Sequence, residues 1–137
     1  MKTFTVDDLK LLDASIRKWQ GIVYRGKIDH GSDDCPLCGQ FLKLNCVGCT
    51  IREYTGVYGC HGTPYFEWCE TSFPFYFVPR HQDWCEVYFP NYSVQTFHIR
   101  TAANYMLVFL YEVRKWLVRK ITIDNHNKNC YGSKRHR

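Results

Sequence analysis

No uninterrupted run of about eighteen apolar residues occurs in this 137-residue chain, which excludes a membrane-spanning helix of ordinary length. The opening segment, MKTFTVDDLKLLDASIRKWQ, lacks a basic start followed by an apolar stretch, so no secretory leader is expected. Internal repeats are missing apart from one doubled cysteine motif, and no interdomain linker divides the chain. Acidic residues are scarce at the end: residues 100–137 carry nine basic groups and only two acidic ones.

What is present argues for one folded domain. Hydrophobic residues make up 45% and aromatics 17%, too much for a disordered chain and enough for a modest core. The net charge of +5 is unevenly spread, with +3 over residues 1–27, −5 over 28–99 and +7 over 100–137. Basic ends can track phosphates, but short solvated basic tails are the commoner use. Eight cysteines in a chain without a leader point to reduced thiols, metal and a cytoplasmic setting.

The most specific chemical signal lies between residues 35 and 60. Cys35-Pro-Leu-Cys38-Gly39 is followed by Cys46-Val-Gly-Cys49 and then by Cys60. Zn2+ favours four soft ligands in a tetrahedron, and a two-residue gap lets one tight turn aim two thiolates at a single ion. Pro36 pre-sets the first turn, Gly39 is expected to let the backbone fold back beneath the metal, and Gly48 repeats the device. One structural zinc ion held by four of Cys35, Cys38, Cys46, Cys49 and Cys60 is the reading, with Cys46 against Cys60 left open. His30 is a weaker competitor. Paired disulfides and an iron–sulfur cluster would use the same residues; the expected compartment argues against the first, and nothing else in the chain suggests redox work.

Residues 35–68 resemble a zinc-finger-like family of small uncharacterised proteins from tailed bacteriophages and some bacteria. The resemblance rests on the two Cys-x-x-Cys pairs, Thr55-Gly56, Cys60 and Gly62-Thr63-Pro64-Tyr65 with Trp68. Flanking helices, the first ending near Trp19, fit more loosely. Thr50 stands where proline is usual, and residues 70–99 look like an insertion. The resemblance implies zinc and a phage-like origin, and no mechanism.

Taken in order, Thr5-Val-Asp-Asp8 opens an amphipathic helix with Leu9, Leu12, Ile16, Trp19 and Val23 on one face, stopped by Gly21 or Gly26. Phe41, Leu42 and Leu44 offer an apolar plug beneath the metal. Thr50–Glu53 is a capping box for a short helix ending at Gly56. Thr63 and Pro64 start another, which presents Tyr65, Phe66 and Trp68. Residues 66–97 hold eleven aromatics, with Pro74, Pro79 and Pro90 breaking any long helix; Phe73–Val78 and Ser93–Ile99 are predicted as short strands. From Thr101 to Ile121 runs a broad helical pattern built on Ala102, Met106, Phe109, Val113 and Trp116, widened by Tyr105, Val108 and Leu117. The tail after it is predicted to fray.

The expected fold is α+β, small and zinc-stabilised. An N-terminal helix (1–27) and a C-terminal helix (100–125) pack antiparallel around a double-knuckle lobe (28–70), with an aromatic-rich hairpin or irregular insertion (71–99) and a basic tail (126–137). Catalytic fragments exist but do not assemble. Asn125, His126 and Asn127 sit in the tail and Asp29-His30 precedes the first pair, while His-Asn-His nucleases place a histidine between the pairs, where this chain has none. Five thiols close the site that a hydrolytic zinc would need open. The expected function is therefore a non-enzymatic interaction protein, a phage accessory that binds a host defence or regulatory protein in the host cytoplasm. The alternative is a nucleic-acid-binding module that uses the basic C-terminal helix and tail.

Overall fold

The computed structural model describes residues 2–27, 29, 34–57, 60, 62–71 and 94–135, with side chains to Cys69 in the fourth helix and from Arg100 to Asn127 in the last. Among the described residues five α-helices occur in order: α1 (Val6–Arg25), α2 (Pro36–Phe41), α3 (Thr50–Thr55), α4 (Tyr65–Thr71) and α5 (Val94–Arg135). A 3-10 turn, Leu42–Leu44, extends α2. Helices take 77% of the described residues, and no strand occurs among them. The α+β expectation is thus overturned; the described fold is all-α. Of the two predicted strands, residues 94–99 form the first turns of α5, and Phe73–Val78 lie outside the described residues.

α1 begins where Thr5 N–H donates to Asp8 Oδ2 at 2.9 Å, Asp8 taking the place a glutamate usually fills. It ends at Gly26, not at Gly21. Gly26 adopts φ 66°, and Lys27 N–H donates back to Gly21 O at 3.1 Å, while Gly21 stays buried within the helix. Leu12, Ile16, Trp19, Ile22 and Val23 are buried, at the three-and-four spacing of one helix face.

α5 lies antiparallel to α1. Phe4 N–H donates to Asp124 Oδ2 at 3.0 Å, Arg114 Nε to Asp13 Oδ1 at 2.7 Å, and Gln20 Nε2 to Tyr111 Oη at 3.0 Å, so rising numbers on one helix meet falling numbers on the other. The buried face of α5 is Ala102, Ala103, Met106, Leu107, Leu110, Val113, Leu117 and Ile121. Two residues assigned to that face from the sequence, Tyr105 and Val108, point outward at 56% and 46% exposure. Trp19 and Trp116 share one continuous core but not one cluster. Trp19 stacks edge-on against Trp68 at 5.3 Å, whereas Trp116 meets Phe4 at 5.1 Å and Tyr54 at 5.4 Å.

The lobe of α2, α3 and α4 lies along the side of the helix pair. Phe41 of α2 sits under the Lys2 ammonium at 4.9 Å, Tyr54 of α3 reaches Phe109 and Trp116, and Trp68 of α4 reaches Trp19. Leu37 and Phe41 of α2, Ile51 of α3 and Trp68 of α4 are buried apolar residues of the lobe. Leu42 and Leu44, read from sequence as part of a plug beneath the metal, are exposed at 48% and 57%. The predicted frayed tail is helical as far as Arg135.

Candidate metal centre

The two cysteine pairs are held by different local devices. Cys35 caps α2, and its Sγ accepts the Cys38 N–H at 3.4 Å, with Pro36 in the first turn, where a missing amide costs nothing. Gly39 then continues the helix, its N–H donating to Cys35 O at 2.9 Å. It has no left-handed conformation, so the expected fold-back beneath the first pair is replaced by a helical turn.

The second pair is a true tight turn. Cys49 N–H donates to Cys46 O at 3.0 Å across Val47 and Gly48, and Gly48 has φ 89°. A side chain at Gly48 would also meet the Phe41 ring at 3.3 Å. Cys46 itself takes φ 63°, a region a non-glycine residue rarely occupies. Cys49 is the N-cap of α3, which Gly56 closes at φ 73°. Thr50 is therefore the first helical residue, the place where the resembling proteins carry proline and where proline fits. Its side chain is fully buried, and its hydroxyl has no hydrogen-bond partner among the described residues.

Cys60 arrives from a third segment, its carbonyl accepting Thr63 Oγ1–H at 2.8 Å, and Thr63 Oγ1 accepts the Tyr65 N–H at 3.2 Å to start α4. Cys35, Cys38 and Cys60 line one cavity of about 140 Å³, together with Trp19, Ile51 and Met106. The thiols feel one another. The Cys35 thiol is lowered to about 6 by its hydrogen bond with Cys38, against burial, with help from backbone amides and the Lys18 charge. The same hydrogen bond, burial and the charges of Cys35, Cys60 and Cys49 push Cys38 up. Burial, then Cys35, Cys49 and Cys46, push Cys60 up to about 12. Burial also raises Cys49, against the amides of Arg52 and Ile51. Burial and the neighbouring sulfurs thus oppose ionisation of Cys38 and Cys60, and a cation among them would relieve that opposition. Among the described residues no three Cys, His, Asp or Glu side chains stand as a ready metal-holding group. The donor set nonetheless fits zinc in kind: all five thiols are free, and those of Cys35, Cys38, Cys46, Cys49 and Cys60 belong to one neighbourhood.

Beside the cysteines lies a cluster the sequence did not disclose. Asp29, 5% exposed, accepts Tyr65 Oη–H and Trp68 Nε1–H, both at 2.9 Å. Lys18 Nζ stands 2.7 Å from Asp29 Oδ1 and 2.7 Å from Asp34 Oδ1. Burial would lower the Lys18 ammonium, but the charge and hydrogen bonds of Asp29 and Asp34 outweigh it and hold the group above its ordinary value. This network ties α1, the segment before α2, and α4 into one wall of the cysteine cavity. One sequence signal was there: Lys18 falls three residues after Ser15 and four before Ile22, on the flank of the buried face. Asp29 had been read as a catalytic fragment, and its contacts here are structural. His126 is exposed on α5; His30 and His61 lie outside the described residues.

Fold and site together define a small helical protein with a cysteine-rich lobe laid on an antiparallel helix pair. No family model, curated protein or solved structure matches the chain. Among the described residues no helix is long and apolar enough to cross a membrane.

Proposed function

We propose that this chain is a zinc-stabilised, non-enzymatic interaction protein. Four of Cys35, Cys38, Cys46, Cys49 and Cys60 would hold one structural Zn2+, which neutralises their thiolates and cross-links α2, α3 and the Cys60 turn. The observation that carries this reading is the shared cavity of Cys35, Cys38 and Cys60, drawn from separate segments of the chain. The resemblance of residues 35–68 supports the zinc and a phage-like origin; a host defence or regulatory protein as partner is proposed with them, and the cysteine content supports a cytoplasmic setting. The second reading, nucleic-acid binding, is favoured by Lys115, Arg119 and Lys120, all exposed on α5.

Elemental analysis of the purified chain tests the metal, with one zinc per chain expected. Structural zinc in small modules contributes ~10–16 kcal/mol of apparent folding energy, so chelation should abolish the near-ultraviolet dichroism of Trp68 in the lobe and of Trp19 against it. A zinc-free protein, or an unchanged spectrum after chelation, sinks the metal reading. Capture of a host protein that survives nuclease treatment supports the first function. Salt-sensitive gel shifts without such capture support the second.

A further inference from the structure

α5 has a second, outward side, edged by α1 where Gln20 Nε2 donates to Tyr111 Oη and by α4 near Glu67. Tyr105, Val108, Tyr111 and Val118 recur along it at helical spacing, and all four are exposed, from 37% to 56%. From Tyr105 to Thr122 this stripe is about 25 Å long. Its charges are segregated. Glu112, with Glu67 of α4 nearby, marks one half; exposed Lys115 and Arg119 mark the other. Neither glutamate has an ion-pair partner among the described residues, and Arg119 donates only to its own helix, to Lys115 O at 3.4 Å. At the acidic half a groove of about 410 Å³ runs between the start of α4 and α5, floored by Val108 and Phe109 and flanked by Pro64, Glu67, Tyr105 and Glu112.

We propose that this stripe is the interface of a two-fold symmetric homodimer, in which the α5 helices of two copies pack antiparallel with the axis passing close to residues 113 and 114. The argument is self-complementarity. An antiparallel mate brings its own basic half opposite this acidic half, so Glu112 of each copy faces Lys115 of the other, and each pair occurs twice. The same register lays the Arg119 stem of one copy over Val108 of the other. Its guanidinium then enters the groove between Glu67 and Glu112, a pairing that planar, multiply donating Arg suits. A parallel mate would set like charges against each other. The proposal is independent of the metal, because no cysteine lies on this face.

Sedimentation equilibrium on the full chain tests it. A mass of twice the 16.3 kDa chain is expected, with an affinity that weakens as salt rises. Lys115→Glu should weaken the dimer ~10-fold, since a like-charge contact is introduced twice, and Lys115→Glu combined with Glu112→Lys should restore it to within ~3-fold. Val108→Asp should give monomers whose melting matches that of dilute, dissociated wild type. A wild-type chain that stays monomeric at ~100 µM overturns the proposal, as does a dimer indifferent to both single variants.

Discussion

Asp29 shows how much one buried carboxylate can organise. Its carboxylate accepts from Tyr65 and Trp68 of α4 and pairs with Lys18 of α1. Asp29→Ala should cost about 3–5 kcal/mol in urea unfolding, because it breaks a buried ion pair with Lys18 and removes the acceptor of the Tyr65 and Trp68 bonds. Asp29→Asn should cost less, since it still offers an acceptor. Lys18 also predicts a pH dependence. Its folded value is raised above the ordinary 10.5, so the folded chain holds the proton more tightly than the unfolded one. The stability it contributes is complete below that value and is lost as pH rises through the folded value. Unfolding titrations from neutral to strongly alkaline pH should show a decline that Asp29→Asn flattens; identical alkaline limbs would contradict the assignment. Thr50 works in the opposite sense. Its buried hydroxyl lacks a partner among the described residues, so Thr50→Val should stabilise the chain by about 1 kcal/mol, provided the shape is kept.

At the scale of elements, the stability of α5 comes from its face against α1. Leu110, wholly buried, should cost about 2–5 kcal/mol on truncation to alanine, by lost burial and the cavity left behind. Trp116→Ala removes the edge contacts to Phe4 and Tyr54 and should loosen α3 and the N-terminus together. The end of α5 divides at Asp124. Deleting residues 126–137 keeps the bond from Phe4 N–H to Asp124 and should leave the melting temperature unchanged. Deleting 124–137 removes it and should cost about 1–2 kcal/mol. Equal effects of the two truncations would show that Asp124 does not anchor the N-terminus.

For the whole molecule, the lobe's position along the helix pair means that metal loss and core damage should be separable. Cys35→Ser or Cys38→Ser should release zinc and perturb the Trp19–Trp68 contact, whereas Cys69→Ser should leave the metal content unchanged. Far-ultraviolet dichroism of the stripped protein should retain the signal of α1 and α5 if their contact stands alone, and lose it if the domain unfolds as one unit. Heparin retention that falls steeply with salt would shift the function toward nucleic acid, because the basic groups of α5 would then be neutralising phosphates.

The sequence by itself determined the local events, because those depend on neighbours a few residues apart. Thr5 with Asp8 starts α1, Gly56 stops α3, Thr63 and Pro64 start α4, and Gly48 makes the second cysteine turn. The apolar spacing of α1 was equally plain, since a face repeating every three or four residues has one economical use. Events that depend on distant partners were not legible. Ser93–Ile99 has the β-branched and aromatic content of a strand, yet residues 94–99 extend the helix that α1 and the lobe bury. Gly39 was read as a hinge, but the Cys35 cap carries the helix through it. Which side of α5 faces inward was decided by three neighbours at once, α1, α3 and α4, so Leu107 and Leu110 are buried while Tyr105 and Val108 are left outside. The Asp29 network was invisible for the same reason. Nothing within a helical turn of Lys18 announces its partner, and only packing of α4 against α1 brings Tyr65, Trp68 and Lys18 around one carboxylate.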